Sequence, residues 1–481
     1  MAFPDARPHS RRRQSRLSRL FVTWSVDDLF FGVCLVAILF SVIVELRYEA
    51  AASSLVSRAV LGEAVIAGAS GSAFRQLTYF AIFFAVSGYT LYKAGGLPKM
   101  PIPLAYNLAC VWCLLSFTWA IVPGISFRRA LGMYIILVAV AFCVQSLGAR
   151  KTLQALYVFL AGLIVFSTLA GLFSRIPVLS FAVHPDDEMD TSLVGAWRGA
   201  MMHKNVAGAV MIHASIFFFH HAINRQRVLD WLLFSMAVLF LIMTKSKTSV
   251  GWFAFVLGTG LLYRFLMVRR APAVFTMLVG FGIAGMTTFA YILSDSLYAF
   301  FTNPLNLSGR IEIWQSVIPY IEDHPILGSG YGSFWSIGLQ SPIYKTARTL
   351  FITQIGHSHS GYIEILLTTG VIGLGLALIA LLIVPFIRFA NPMPGDALLN
   401  PMLFSIWMFG MLQNLTESQF FSPDKQSWIF VVIAITIVHT RYLARQSRAF
   451  GWLAETAWMP WQGARRIQIR SSCWSTHQSL R

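Results

Sequence analysis

The chain has 481 residues, of which 56% are hydrophobic and 12% charged, and its mean hydropathy is +0.65. A soluble domain carries roughly 25% charged residues, so one large water-soluble core is excluded, and stretches near the ~20 apolar residues that a membrane-spanning helix needs recur along the whole chain. The net charge of +17 sits in arms and short loops beside those stretches, which suits anionic lipid headgroups as partners and argues for no nucleic-acid role.

Residues 1–26 form a basic arm carrying Arg7, Arg11, Arg12, Arg13, Arg16 and Arg19. The first apolar run is too long for the core of a signal peptide and reads as an uncleaved anchor. Twelve spans follow, at 27–46, 76–92, 103–122, 129–147, 152–173, 205–223, 228–244, 249–268, 272–294, 361–388, 398–413 and 427–442. The stretches 228–244 and 398–413 are the shortest. Residues 27–294 hold nine spans, 295–360 a large loop, 361–442 three more spans, and 443–481 a basic, tryptophan-containing tail. Lys93, Lys99, Arg150, Lys151, Arg225, Arg227, Arg264, Arg269, Arg270 and Arg388 fall on the side of the two termini, which places both termini in the cytoplasm. The pattern therefore predicts an all-α, polytopic protein of the bacterial inner membrane, whose large periplasmic loop contains an amphipathic helix. Cys110 and Cys113 share a helix face and read as buried thiols rather than a metal site.

Three outward loops stand out, because long loops without secondary structure tend to carry function. The first, 174–204, contains the acidic run Asp186-Asp187-Glu188, which reads as solvated, and then Trp197-Arg198-Gly199 and His203-Lys204. Asn205 is expected to cap the span that follows. In the second loop, Ile311, Trp314, Ile318 and Ile321 recur at helical spacing, predicting a helix on the outer membrane surface with Arg310 in its first turn. His324-Pro325 ends it, a glycine-rich turn follows, and the loop re-enters the membrane just after His357 and His359. The third loop, 414–426, carries Glu417 and Asp424, either of which could orient an acceptor sugar.

The two histidines admit three readings. They could ligate a metal with His324, Asp323 or Glu364, they could be structural, or one could be a general base, since imidazole titrates near neutral pH. Arg198 and Arg310 read either as interfacial residues or as planar cations that grip phosphate oxygens, with Lys204 adding positive potential. Lys245 and Lys247 sit on the outer side against the charge rule, as expected either of a bound anion or of snorkelling side chains.

Several stretches resemble the O-antigen ligase and Wzy-type polymerase superfamily, most closely the rhizobial, succinoglycan-type exopolysaccharide polymerases. They are LSFTWAIVPGISFRRA (115–130), WRGAMMHKN (197–205), SGRIEIWQSVIPYIEDHPILGSGYGSF (308–334) and HSHSGYIEILLTTGVIG (357–373). The last fits a family pattern of His, a polar residue, nine residues, Gly, two residues and Gly, here His359, Ser360, Gly370 and Gly373. The resemblance implies a GT-C-like fold and a glycosyltransferase with no cofactor and no metal. Its donor would be a polyprenyl-diphosphate-linked oligosaccharide and its acceptor a lipid-linked glycan, with a chain-length regulator and a flippase as pathway partners. It implies His359 as the catalytic residue and Arg198 and Arg310 at the donor diphosphate; beside the resemblance, the position of Lys204 adds it to the diphosphate set, and His357, His203, Lys245, Lys247, Glu364 and Glu417 are candidates for supporting roles. Neither arginine has the distant glycine seen in some polymerases. Transfer of glycan to lipid A core by a ligase, and polysaccharide transport by a flippase, are the alternatives.

Overall fold

A computed structural model describes residues 23–44, 73–96, 99–185, 193–303, 306–349, 352–392, 399–423 and 425–457. Residues 1–22 of the basic arm, the acidic run 186–188, Asp424 and Trp458, Trp461 and Trp474 of the tail lie outside the described residues. Within them the chain is helical, and its β-pairing is limited to isolated bridges such as Val183 with Trp197.

The helices are α1 (Val26–Ile43), α2 (Ala73–Ala94), α3 (Leu104–Leu115), α4 (Pro123–Leu172), α5 (Lys204–Arg225), α6 (Val228–Met243), α7 (Lys247–Val268) and α8 (Pro272–Ile292). After these come α9 (Ser294–Thr302), α10 (Arg310–Asp323), α11 (Ile343–Thr346) and α12 (Gly361–Leu378). The last of these passes through a π turn (Ile379–Ile383) into α13 (Val384–Ala390), followed by α14 (Asn400–Gln413) and α15 (Gln426–Ala457). The main compact unit ends at Thr440, and the described residues from Arg441 to Ala457 fall in a second.

Each of the twelve stretches expected to span overlaps a helix. Among the described residues seven helices are long and apolar enough to cross a membrane, as in a multi-pass membrane protein. One of the seven, α4, has 50 residues and would run ~75 Å if straight, far more than a bilayer core. It breaks at Gly148, whose φ of 66° lies in the left-handed region, so that one helix supplies two of the expected stretches. Lys151, just past the break, pairs with Asp28, which also closes a capping box with Ser25 at the start of α1.

α5 is the centre of the bundle, with every residue from Ala207 to Phe218 buried. It packs on α6 and α7, α14 packs on α7, and α4 holds α1 and α2. Lipid tails are as apolar as leucine, so close packing and polar contacts must hold such helices together. Gly260 of α7 illustrates this, since a Cβ there would lie 2.1 Å from the Ser405 hydroxyl of α14. At the other extreme, Phe275 is the single buried residue of α8.

The large loop has its own small core of Ile313, Val317, Phe334, Trp335, Ile343, Ile352 and Leu367. The apolar face of α10 packs there rather than lying free on a surface. Its stripe is accordingly rotated from the expected one: Ile311, Ile313 and Val317 are buried, while Ile318 is exposed. The helix stops at Asp323, before His324-Pro325 as expected.

Candidate active site at the mouth of helix α12

The entry to α12 is clasped to the loop after α14. Ser360 is the N-cap, and the Gly361 N–H donates to the carbonyls of Asn414 (2.8 Å) and Glu417 (3.1 Å). The Asn414 side chain in turn accepts from the backbone N–H groups of Gln419 (2.9 Å) and Phe420 (3.0 Å). Ser358 is buried beneath. Its carbonyl accepts from the Trp314 indole (2.9 Å), and its N–H donates to Glu364 (2.8 Å), which also accepts from the Trp335 indole (3.1 Å). Glu364 is thus a structural acceptor that fixes the backbone between the two histidines.

That fixed backbone places His359 at φ 52°, a left-handed conformation that a side-chain-bearing residue adopts only when its surroundings impose it. The rings of His357 and His359 lie 4.1 Å apart, and the His359 N–H donates to Nδ1 of His357 (3.2 Å). Nδ1 of His359 is 3.4 Å from one Glu417 oxygen, and the other Glu417 oxygen pairs with Arg310 at 2.9 Å. Arg310 is held by donating to the carbonyls of Thr416 (2.9 Å) and Leu307 (3.3 Å). Burial alone would raise the Glu417 carboxyl, but the contact and charge of His359 and the charges of Arg310 and His357 outweigh it and hold it down at about 2. A carboxylate fixed beside an imidazole stabilises the imidazolium and orients the ring, which is what a general base requires.

Four expected residues therefore meet here: His357, His359, Arg310 and Glu417, with Glu364 one layer below. His357, His359 and Glu417 also place three ligand atoms within 4.8 Å of one another, close enough to surround an ion. The Arg310 guanidinium already neutralises the same carboxylate, which works against a divalent cation. His324 stacks on Tyr320, away from this cluster, and Asp323 is exposed.

The remaining expected residues gather around loop 174–204. The guanidinium of Arg198 donates to the carbonyls of Phe181 (2.7 Å) and Met202 (3.4 Å) and, among the described residues, touches none of the His359 group. The backbone N–H of buried Lys204 donates to Nε2 of His184 (3.3 Å), whose ring meets His203 edge-on. Asn205 does not cap α5. His203 does, accepting from the Asn205 N–H at 3.2 Å, and the Asn205 side chain instead accepts across to Ser246 of the α6–α7 turn (3.2 Å). Lys245 sits in that turn at φ 53° and ties back to the Val194 carbonyl at 2.9 Å, and Lys247 is exposed at the start of α7.

Sequence reasoning gave no structural role to two residues that shape the site. Arg129 of α4 pins the glycine-rich turn by donating to the carbonyls of Gly332, Trp335 (2.9 Å) and Ser336 (3.1 Å). Gly370, at φ 67°, breaks α12, and a Cβ there would lie 1.9 Å from the Ile326 carbonyl oxygen. The break lets Ser329 donate to the Leu367 carbonyl (3.0 Å) and Val371 to that of Pro325 (2.8 Å), stitching the turn into the helix. The signal for this was the spacing of Gly370 and Gly373 behind His359.

Residues 232–378 match the family described as O-antigen ligase, a segment that takes in Arg310, both histidines, Glu364 and Gly370. The chain is also similar to the exopolysaccharide production protein ExoQ of Rhizobium meliloti (strain 1021), with 23% identity over 279 residues, which is 55% of this chain. That match spans 60% of the relative's length. Residues 232–378 are thus similar to the O-antigen ligase family, and the chain is also similar to a rhizobial protein named for exopolysaccharide production.

Proposed function

We propose that the protein is a polymerase of exopolysaccharide or O-antigen repeat units, working at the periplasmic face of the inner membrane. The observation that carries this reading is the His359–Glu417–Arg310 chain at the mouth of α12, inside and beside the family-matched segment. His359 removes the proton from an acceptor hydroxyl on one lipid-linked saccharide. The freed oxygen attacks the anomeric carbon of a second saccharide, and the bond to its polyprenyl diphosphate breaks. The electron pair leaves with the diphosphate, and configuration inverts. Glu417 holds the ring and stabilises its protonated form. Arg310 holds Glu417 with part of its donor set and keeps a positive charge near the leaving group. Arg198 and Lys204 in the first loop supply further positive charge for a carrier diphosphate. Transfer to lipid A core would use the same chemistry with another acceptor. The match to an exopolysaccharide production protein favours repeat-unit polymerisation.

The test is the length distribution of polymer on lipid carriers in cells carrying wild type, His359→Ala or no protein, at matched membrane levels. His359→Ala is expected to accumulate single repeats, with turnover lowered about 10²–10⁴-fold, the range a positioned base contributes. Normal-length polymer from His359→Ala would remove the histidine from the chemistry and return transport to the front.

A further inference from the structure

A cavity of about 380 Å³ lies where the start of α1, the end of α2 and the break in α4 meet. It is remote from the histidines. Gln145, on its wall, stands sixteen residues along α4 from Arg129, about 24 Å of helix, and Arg129 pins the turn beside the His359 site. A bilayer core is about 30 Å thick, so in a membrane the two sites would open at opposite surfaces. The volume falls in the range of small-molecule pockets, about 300–1,000 Å³.

The wall carries charge of both signs. Asp27 and Asp28 come from the first turn of α1 and Lys93 from the last turn of α2. Asp28 is committed: it accepts from the N–H (2.7 Å) and the hydroxyl (2.6 Å) of Ser25 and pairs with Lys151. Asp27 accepts from the Tyr89 phenol and pairs with Lys93, yet the Asp27 and Lys93 side chains keep 32% and 48% of their surface open. A pair this exposed is weakly held. An ammonium has three N–H donors and a carboxylate about four acceptor sites, so each partner can take a second counter-charge without releasing the first. Two helix ends also reach the wall, the first half of α4 at Gln145-Ser146 and α2 at Lys93-Ala94, and the carbonyls at such ends favour a cation. A ligand that carries an ammonium and a phosphate close together fits this arrangement. Its ammonium meets Asp27 and the helix ends, its phosphate meets Lys93, and Gln145 and Ser146 add an amide and a hydroxyl. That zwitterion is the head group of an aminophospholipid. Leu29 and Val33 of α1 and Leu91 of α2 are exposed apolar side chains on the adjoining turns, where acyl chains can lie.

We infer that this cavity seats the phosphoethanolamine head group of a phospholipid between Asp27 and Lys93, and that the bound lipid ties α1, α2 and α4 together at the end of the bundle away from His359. The inference is independent of the polymerase reading, since no step of the transfer uses these residues.

The test uses the full-length protein in detergent, with dioleoyl phosphatidylethanolamine as the probe. The comparison arms are phosphatidylcholine and phosphatidylglycerol with the same chains, and soluble phosphoethanolamine. Wild type should bind the ethanolamine lipid at least tenfold more tightly than the choline lipid, whose methyl groups keep the charge but remove the N–H donors, and than the glycerol lipid, which has no cation. Asp27→Asn should abolish this preference while keeping the wild-type melting temperature in detergent without added lipid. Lys93→Gln, at a half-exposed position, should weaken binding of the ethanolamine lipid severalfold and carries the variant test if Asp27→Asn fails to fold. Equal wild-type affinity for the ethanolamine and choline lipids, or tighter binding of the glycerol lipid, overturns the inference, and this comparison needs no variant. An undiminished preference in folded Asp27→Asn overturns it as well. Equal affinity for soluble phosphoethanolamine overturns the lipid occupant.

Discussion

Among single residues, Glu417 is the most informative. Its carboxyl is held down at about 2 against an ordinary 4.5, so its ionised form is favoured by the folded protein. A lowered carboxylate stabilises the fold above its unfolded value, and that contribution fades as pH drops. The melting temperature of wild type should therefore exceed that of Glu417→Gln by a constant margin above about pH 4.5, and the margin should close as pH falls toward 2. A margin that stays constant to pH 2.5 would show that the carboxylate is not tied to Arg310 and His359. At this scale the sequence was partly legible. His359 and Arg310 could be picked out because each sits at the end of an apolar or amphipathic run. Their link could not, because Glu417 lies 107 positions from Arg310 and reaches it only once α10, α12 and the loop after α14 have converged. Asn205 was misread for the opposite reason. A local cap rule favours asparagine, but a hydroxyl on the neighbouring turn claims its side chain and leaves the cap to His203.

At the scale of elements, α12 and the turn 325–332 fold as one piece. Gly370 is where they join, and any side chain there meets both a forbidden backbone region and the Ile326 carbonyl. Gly370→Ala should cost about 3 kcal/mol or more, well above the usual effect of a small surface change. Purified variant protein should melt several degrees lower or fail to emerge as a single species by size exclusion. A wild-type melting curve would mean that the helix can run unbroken through this point. Gly375, five residues on and with open space above its backbone, should accept alanine without loss. The helical stretches themselves were legible from apolar runs, including both halves of α4. The buried face of α10 was not. Its partners Phe334, Ile343 and Ile352 come from a turn and from helical turns of three or four residues, too short to show a period, so periodicity offered a stripe but no way to know which way it would turn.

At the scale of the whole molecule, the sequence leads to the expectation that charged turns sort by side, and that sorting can be tested without reference to activity. In a cysteine-free background, Lys345→Cys in the large loop should react with a membrane-impermeant maleimide in intact spheroplasts. Arg269→Cys, exposed at the end of α7, should react only after the membrane is opened. The reverse result would invert the orientation and put the His359 site on the cytoplasmic side. The stitched turn has a further consequence at this scale. Gly370 lies nine residues into α12, about 14 Å along the helix axis from the histidines at its mouth. Non-helical backbone at such a depth is tolerated only where protein encloses it, and here Ser329 and Ser333 are fully enclosed. Under the proposed function, the floor of the site would thus be anchored at the depth of acyl chains while its rim meets water. Under the proposed function, bilayer thickness is then expected to be a mechanical input to catalysis: a membrane too thin or too thick for α12 would pull on the same backbone that aims His359.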